Sequence, residues 1–210
     1  MKQQLTLAQT PRDITSSVRD ACRRVADSEP VFVDVAPPSW ALVNKCAINA
    51  KRYVEENEGE VVFGWAISIW NKILIDCIGH AVVKINKQYI DITPNKYGDK
   101  KILFVQDDGI TFDYSDEMCR LPSKNIALSS AKDVKRLVNI EDELYRIKTK
   151  YPVTGGVILL IPEDAKTISK LEAEKLQIIP KIIVNHIHHN DPCVCGSGRK
   201  FRKCCQGLFK

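Results

Sequence analysis

Hydrophobic and polar positions switch between helical and strand spacing along the chain, which predicts a mixed α and β fold. Apolar residues recur every three or four positions within Asp13–Asp27 and again within Lys45–Glu58, so each segment predicts an amphipathic helix. The short apolar run Val31–Val35 ends before Pro37 and predicts a strand. Asn44 directly precedes the second helix, where we expect its side chain to act as the N-cap.

Three apolar runs then follow in close succession and predict three strands. The runs are Val61–Trp70, Ile73–Ile85 and Gln88–Thr93. The linkers Asn71-Lys72 and Asn86-Lys87 are each two residues long, which is the length of a tight hairpin turn. We therefore expect these runs to form neighbouring antiparallel strands.

The second half of the chain predicts three further strands and two further helices. The strands are Ile102–Gln106, Ile110–Tyr114 and Gly156–Ile161, and the helices are Val134–Lys150 and Glu163–Leu176. The apolar segment Ile178–Ile187 fits neither type clearly. The pattern predicts an α+β body over residues 1–184, with a helix packed on an antiparallel sheet, and a short C-terminal element over residues 185–210.

Composition bounds the class of protein. The chain has 210 residues, of which 44 % are apolar, enough to fill a core. No apolar run approaches the roughly 18 residues of a membrane helix. The first ten residues also lack the apolar centre of a signal peptide, so we expect a cytoplasmic protein without membrane insertion. In a reducing compartment, eight cysteines favour metal binding or thiol chemistry over disulfides.

Charge and cysteine both concentrate at the C-terminus. Residues 191–210 carry five bases and one acid, which leaves the rest of the chain close to neutral and argues against a general nucleic-acid-coating role. The same segment holds four cysteines with the spacing C-x-C-x8-C-C: Cys193, Cys195, Cys204 and Cys205. Four thiolates suit a closed tetrahedral zinc site. The segment therefore predicts a knuckle that binds one structural zinc ion and depends on it for folding.

The residues of this knuckle resemble a known motif. Asp191–Gly198, with the sequence Asp-Pro-Cys-Val-Cys-Gly-Ser-Gly, is followed by a basic stretch and by Cys204-Cys205. This pattern resembles the SEC-C motif, which is named for the C-terminus of the preprotein translocase motor SecA and is appended to many otherwise unrelated bacterial proteins. The resemblance implies one bound zinc ion and docking to a protein partner. Val194 replaces a proline that is frequent in the family, a change that we do not expect to disturb ligation.

Two features of the tail leave alternatives open. His186, His188 and His189 lie just upstream of the cysteines and are candidate auxiliary ligands, but four cysteines already complete the coordination shell, so we expect a linker role. Phe201 lies between Lys200 and Arg202, which gives a weaker hypothesis of nucleic-acid binding by base stacking.

The body has one histidine, His80, in the second of the three successive strands, and Asp91 lies in the third. If residues 86–87 form a two-residue turn, Asp91 becomes a diagonal neighbour of His80 on the same face of the sheet. Their Cα atoms would then be about 7–8 Å apart, within reach of a side-chain hydrogen bond. A three-residue loop would place them on opposite faces.

Cys46 lies in the first turn of the helix predicted over Lys45–Glu58, where free N–H groups and the helix dipole favour a thiolate. With His80 as base and Asp91 orienting the imidazole, these residues predict nucleophilic attack on an acyl carbon. The backbone N–H of Cys46 and a second donor, from Trp40 or Asn44, would hold the oxyanion.

The order of a helical cysteine, a strand histidine and an aspartate on the next strand is similar to that of the papain-like and transglutaminase-like superfamily of cysteine enzymes. The segments Gly64–Ile67, His80–Val83 and Asp91–Pro94 also resemble uncharacterised bacterial proteins with the same three residues, some of which carry SEC-C tails. The resemblance implies a cysteine hydrolase or acyl transferase: a peptidase, isopeptidase, deamidase or amidase.

Two inert interpretations stand beside the enzymatic one. In the first, the body is a non-catalytic adaptor with a papain-like scaffold that binds a protein partner through the knuckle. In the second, Cys46, His80 and Asp91 only pack or hydrogen-bond internally. For the remaining thiols, Cys22, Cys77 and Cys119, small core residues are the expectation.

Overall fold

The computed structural model of the chain describes residues 7–95, 98–116, 118–153 and 157–209. The first six residues, part of the segment expected to lack a signal peptide, lie outside this range. The helices are α1 (Ser16–Arg23), α2 (Cys46–Glu56), α3 (Lys132–Lys148) and α4 (Pro162–His186). The strands are β1 (Val31–Val35), β2 (Glu60–Trp70), β3 (Leu74–Ile85), β4 (Gln88–Asp91), β5 (Lys101–Gln106) and β6 (Ser123–Ala127). None of the described helices combines the length and apolarity needed to cross a membrane.

The strands form a small barrel. They pair in the order β2-β5-β1-β4-β3-β6, and an additional pairing of β2 with β3 closes the first five into a ring. β1 runs parallel to β4, with Val35 opposite Asp91, whereas β1 with β5, β2 with β5 and β3 with β4 are antiparallel. The expectation of an antiparallel sheet is therefore wrong for the pairing of β1 with β4. The chain reverses after β2 and again after β3, so β4 runs in the direction of β2, which is also the direction of β1. The fold is a mixed α+β one.

The chain forms two compact units. Within the described residues, the first comprises 7–9, 69–76 and 124–209, with α3, α4 and the C-terminal cysteines; the second comprises 10–68 and 77–123, with α1, α2, β1, β4 and β5. This division follows contacts in space and does not test the boundary expected between residues 184 and 185, which stays a prediction.

The hairpin of β3 and β4 forms as predicted. Ile85 pairs with Gln88, and the same register continues to Ile90. Asn86 and Lys87 both have positive φ, 49° and 69°, the conformation of a two-residue turn whose twist matches that of the strands. The register therefore places alternate residues of the two strands on one face.

The strand predicted over Ile110–Tyr114 is wrong. The carboxylates of Asp107 and Asp113 accept hydrogen bonds from the backbone N–H groups of Gly109 and Ser115, at 3.0 and 2.8 Å. Such local bonds from aspartate side chains stabilise turns in competition with a strand. The segment is therefore a loop. The strand predicted over Gly156–Ile161 begins outside the described residues, and its residues 158–161 form no strand.

Two further elements differ from expectation. Helix α4 is continuous over 25 residues and contains Pro180, so it joins the predicted helix Glu163–Leu176 to the segment Ile178–Ile187. Pro180 is on the exposed side of α4, where water can replace the hydrogen bond that proline removes. The strand β6 was not predicted, because every one of its residues is half-buried and its sequence has no apolar alternation.

The turn of the β3–β4 hairpin gives a stability prediction. Lys87 is an exposed residue with a φ of 69°, which disfavours a side chain. Replacing it by glycine, Lys87→Gly, should raise the free energy of unfolding by about 0.5–1 kcal/mol in urea denaturation. The matched change Gln88→Gly, at an exposed strand residue, should lower it. A lower stability for Lys87→Gly than for the wild type would contradict the turn geometry.

Candidate functional site

The four C-terminal cysteines converge on one point. Their sulfur atoms all lie within 4.8 Å of one another. Cys195 Sγ is 3.5 Å from Cys193 Sγ and 3.5 Å from Cys204 Sγ, which is 3.8 Å from Cys205 Sγ. A tetrahedral zinc ion with Zn–S bonds of about 2.3 Å requires sulfur atoms about 3.8 Å apart. The four thiols therefore fit a single zinc ion and complete its shell.

Local turns build this cysteine cluster. The N–H of Cys193 donates to the carbonyl of Arg199 at 2.8 Å, and the N–H of Gly196 donates to the carbonyl of Cys193 at 3.1 Å. Gly196 and Gly198 have φ of 77° and 72°. A Cβ at residue 196 would also meet the side chain of Gln9 at 2.8 Å. Glycine is thus required at this turn for two reasons, its backbone conformation and the close approach of Gln9.

The cysteine cluster lies within the apolar core of its unit. The buried residues that share this core come from the knuckle, the β2–β3 turn and helices α3 and α4: Cys193, Val194, Phe201, Cys205, Trp70, Ile73, Leu137, Ile182 and Ile183. The metal site is consequently packed against both helices and contributes to the stability of a larger core than the knuckle alone provides.

Phe201 belongs to that core and is only 4 % exposed. The hypothesis of base stacking on Phe201 is therefore wrong, because burial in the apolar core makes the ring inaccessible. The bases Arg199, Lys200, Arg202 and Lys203 remain exposed around it.

Charged side chains form hydrogen bonds at the start of the knuckle. Lys72 Nζ lies 2.8 Å from each carboxylate oxygen of Asp191, which also accepts the N–H of His188 at 2.9 Å. His186 Nε2 is 3.2 Å from both carboxylate oxygens of Asp133. Within the described residues, no histidine, aspartate or glutamate joins the metal-binding group of four cysteines. These contacts agree with a linker role for the histidines.

The second unit carries Cys46 as the first residue of α2. The preceding N-cap is Lys45, which makes no side-chain capping bond, so the expectation that Asn44 caps the helix is wrong by one residue. Asn44 instead has a φ of 61°, in the left-handed region, and turns the chain just before the helix. Cys46 is half-buried, and its backbone N–H belongs to the free first turn.

His80 on β3 and Asp91 at the end of β4 face each other across the hairpin. His80 Nε2 is 3.0 Å from Asp91 Oδ2, and the backbone N–H of Thr93 donates to Asp91 Oδ1 at 2.9 Å. Asp91 is 2 % exposed, and both oxygens of this buried carboxylate accept a hydrogen bond. These two hydrogen bonds fix the orientation of the carboxylate and, through it, that of the imidazole.

The His80 imidazole also hydrogen-bonds to the side chain of Cys46. Burial alone raises the pKa of the Cys46 thiol, but the bond to His80, the charge of His80 and the N–H of Ala81 outweigh it and lower that pKa below its ordinary value. For His80, burial acts in the opposite direction and alone would lower the pKa. The hydrogen bonds to Asp91 and Cys46 have the larger effect, so the pKa of His80 is raised. The pairing therefore favours transfer of the Cys46 thiol proton to His80.

The two candidates for a second oxyanion donor differ in their surroundings. The ring of Trp40 lies over the guanidinium of Arg52, 4.2 Å from the ring centre, and packs in the same apolar cluster as Cys46. Asn44 is exposed. These surroundings do not test whether Trp40 or Asn44 holds an oxyanion, so both assignments stay predictions.

Sequence reasoning missed two polar residues next to this site. Asn49 on α2 and Thr93 after β4 are 2 % and 5 % exposed. Asn49 Nδ2 donates to Thr93 Oγ1 at 3.4 Å. An available signal was the polar Asn49 on the buried face of α2, next to Ala50.

The other cysteines of the body have mostly structural surroundings. Cys22 and Cys77 are fully buried, which confirms the expectation of small core residues. Cys119 is half-buried and its sulfur accepts the N–H of Asp113 at 3.2 Å. Within the described residues, Cys46 is the cysteine that hydrogen-bonds to a histidine.

Comparison with known proteins identifies the C-terminal element. Residues 190–207 match the family model of the SEC-C motif, and this range contains all four cysteines of the cluster. No solved structure matches the chain. Motif and geometry together make the cluster a SEC-C-type site for a single zinc ion.

The zinc site gives a prediction on metal content and stability. The purified protein should contain one zinc ion per chain, and removal by a chelator should lower the melting temperature by about 10 °C or more, because the metal binds the folded core. Metal analysis and thermal unfolding measure both. The double variant Cys204→Ser with Cys205→Ser should lose the zinc, whereas Cys119→Ser should retain it. Equal zinc content in the double variant and the wild type would refute the site.

Proposed function

We propose that the unit carrying Cys46 is a cysteine hydrolase or acyl transferase acting on an amide or thioester. A peptidase, isopeptidase, deamidase or amidase fits this description. The observation that carries the proposal is a half-buried thiol at a helix N-terminus, hydrogen-bonded to a histidine that a buried aspartate holds. A cysteine that only fills space in a core does not need such a histidine beside it.

In the first half of the reaction, the Cys46 thiolate attacks the acyl carbon, a C–S bond forms and the carbonyl electron pair moves to oxygen. Collapse of this tetrahedral intermediate breaks the bond to the leaving amine or thiol, which takes a proton from the His80 imidazolium. The products are a thioester on Cys46 and a neutral His80. Asp91 holds the imidazole in position throughout.

In the second half, neutral His80 takes a proton from water or from an acceptor amine, which attacks the thioester. The C–S bond breaks, the acyl group leaves as an acid or an amide, and Cys46 returns as the thiolate beside a protonated His80. In both halves, the backbone N–H of Cys46 stabilises the oxyanion, and Trp40 Nε1 or Asn44 supplies the second donor.

The order of elements supports a relation to the papain-like and transglutaminase-like superfamily. Helix α2 begins with Cys46, β3 carries His80 and β4 ends with Asp91. The SEC-C knuckle would bring this unit to a protein partner. Its exposed bases around a buried Phe201 suit an acidic partner surface.

Selective alkylation of Cys46 tests the proposal. Because the pKa of Cys46 is lowered, the thiolate persists as the pH falls below the ordinary thiol value, and iodoacetamide should label Cys46 at pH 7 faster than Cys119. Peptide-resolved mass spectrometry measures both rates in one sample. The labelling rate of Cys46 should decline at a lower pH than the rate of an ordinary thiol does, as the thiolate gains a proton.

The variants His80→Ala and Asp91→Asn should reduce the labelling of Cys46 at pH 7, the first by about tenfold or more for each pKa unit restored. Labelling of Cys119 in the same samples is the control for reagent and folding. A wild-type Cys46 that titrates as an ordinary thiol would sink the proposal and favour the adaptor alternative.

A further inference from the structure

Buried polar side chains concentrate at one place in the described part of the chain. Three such residues are buried there, Asn49, Asp91 and Thr93, at 2, 2 and 5 % exposure. All three are joined by hydrogen bonds, since Asn49 donates to Thr93 and Thr93 donates to Asp91. Burial of polar groups is costly unless every group finds a partner, so a network of this kind specifies a geometry.

Asn49 clamps the loop that precedes Cys46. Its Oδ1 accepts the N–H of Leu42 at 3.0 Å, and its Nδ2 donates to the carbonyl of Leu42 at 2.8 Å. Both backbone groups of one loop residue are therefore held by one side chain. The clamp fixes the start of the short segment that turns at Asn44, in the left-handed conformation, and delivers Cys46 to the helix N-terminus.

The same amide reaches the other side of the site. The second hydrogen of Asn49 Nδ2 is directed to Thr93 Oγ1, at 3.4 Å, and the backbone N–H of Thr93 holds Asp91 Oδ1. Asp91 Oδ2 in turn holds His80. Asn49 thus connects the loop that places the nucleophile to the acid that orients its base.

We propose that Asn49 is a positioning residue of the Cys46 site and acts through Leu42 and Thr93 to set the distance between the Cys46 sulfur and the His80 ring. This inference rests on the proposed function. Asn49 touches neither reacting atom, and its effect reaches Cys46 through the loop and His80 through Thr93 and Asp91.

The test compares the pH dependence of Cys46 alkylation by iodoacetamide in the full-length protein and its variants. Asn49→Leu keeps the number and branching of the side-chain heavy atoms but removes every hydrogen bond of the amide. It should shift the midpoint of the profile toward the ordinary thiol value of 9.0 and reduce the rate at pH 7 by about tenfold. Circular dichroism establishes that each variant is folded.

Thr93→Val replaces the hydroxyl with a methyl group and leaves the N–H that holds Asp91, so the rate at pH 7 should fall by about threefold, the size of one neutral hydrogen bond. Thr93→Ser keeps the hydroxyl and should retain the wild-type profile. Val33→Ala, in a different apolar cluster of the same unit, lowers the melting temperature and should leave the profile unchanged. This control separates positioning from a general loss of stability.

The outcomes distinguish the two hypotheses. A low midpoint in the wild type that is unchanged in Asn49→Leu and Thr93→Val would overturn the positioning role and leave the proposed function in place. An equal shift in Thr93→Ser and Thr93→Val would also overturn it, because the hydroxyl would not be the cause. A midpoint near 9.0 in the wild type would overturn the proposed function itself.

Discussion

The site in the second unit depends on the hydrogen bonds of one buried carboxylate, that of Asp91. An ionised carboxylate away from water is costly, and loss of one partner from a buried ion pair costs about 3–5 kcal/mol. Both oxygens of Asp91 are occupied, one by His80 and one by the backbone of Thr93. The carboxylate lies where the β3–β4 hairpin ends and beside the parallel strand β1, opposite Val35. The residue whose backbone pairs β4 with β1 therefore also orients the histidine of the site.

The first unit depends on a different constraint, the convergence of four sulfur atoms from one short segment that follows helix α4. Without the metal, four thiols within 4.8 Å of one another offer little mutual stabilisation. With zinc bound, the knuckle becomes rigid and packs against the core formed by α3, α4 and the β2–β3 turn. Asp191 and Lys72 add a charged contact at its edge, where the partly exposed pair contributes modestly.

The sequence predicted the parts of the molecule whose geometry is local. Four cysteines at fixed spacing predicted the metal cluster, and a two-residue turn predicted the register that brings His80 to Asp91. The parallel pairing of β1 with β4 was not predictable in this way, because the partners are far apart in sequence. The buried role of Asn49 was missed for the same reason, since its partner Thr93 becomes a neighbour only when α2 packs on the barrel.

The length of the turn at Asn86 and Lys87 determines whether His80 and Asp91 can meet. Exposed loops ordinarily accept insertions and deletions during evolution. One residue added at 86–87 would instead move the strand partner to the opposite face of the sheet. His80 and Asp91 would separate although neither had been mutated. We therefore expect descendants of this chain to vary in the identity of the turn residues and to keep their number.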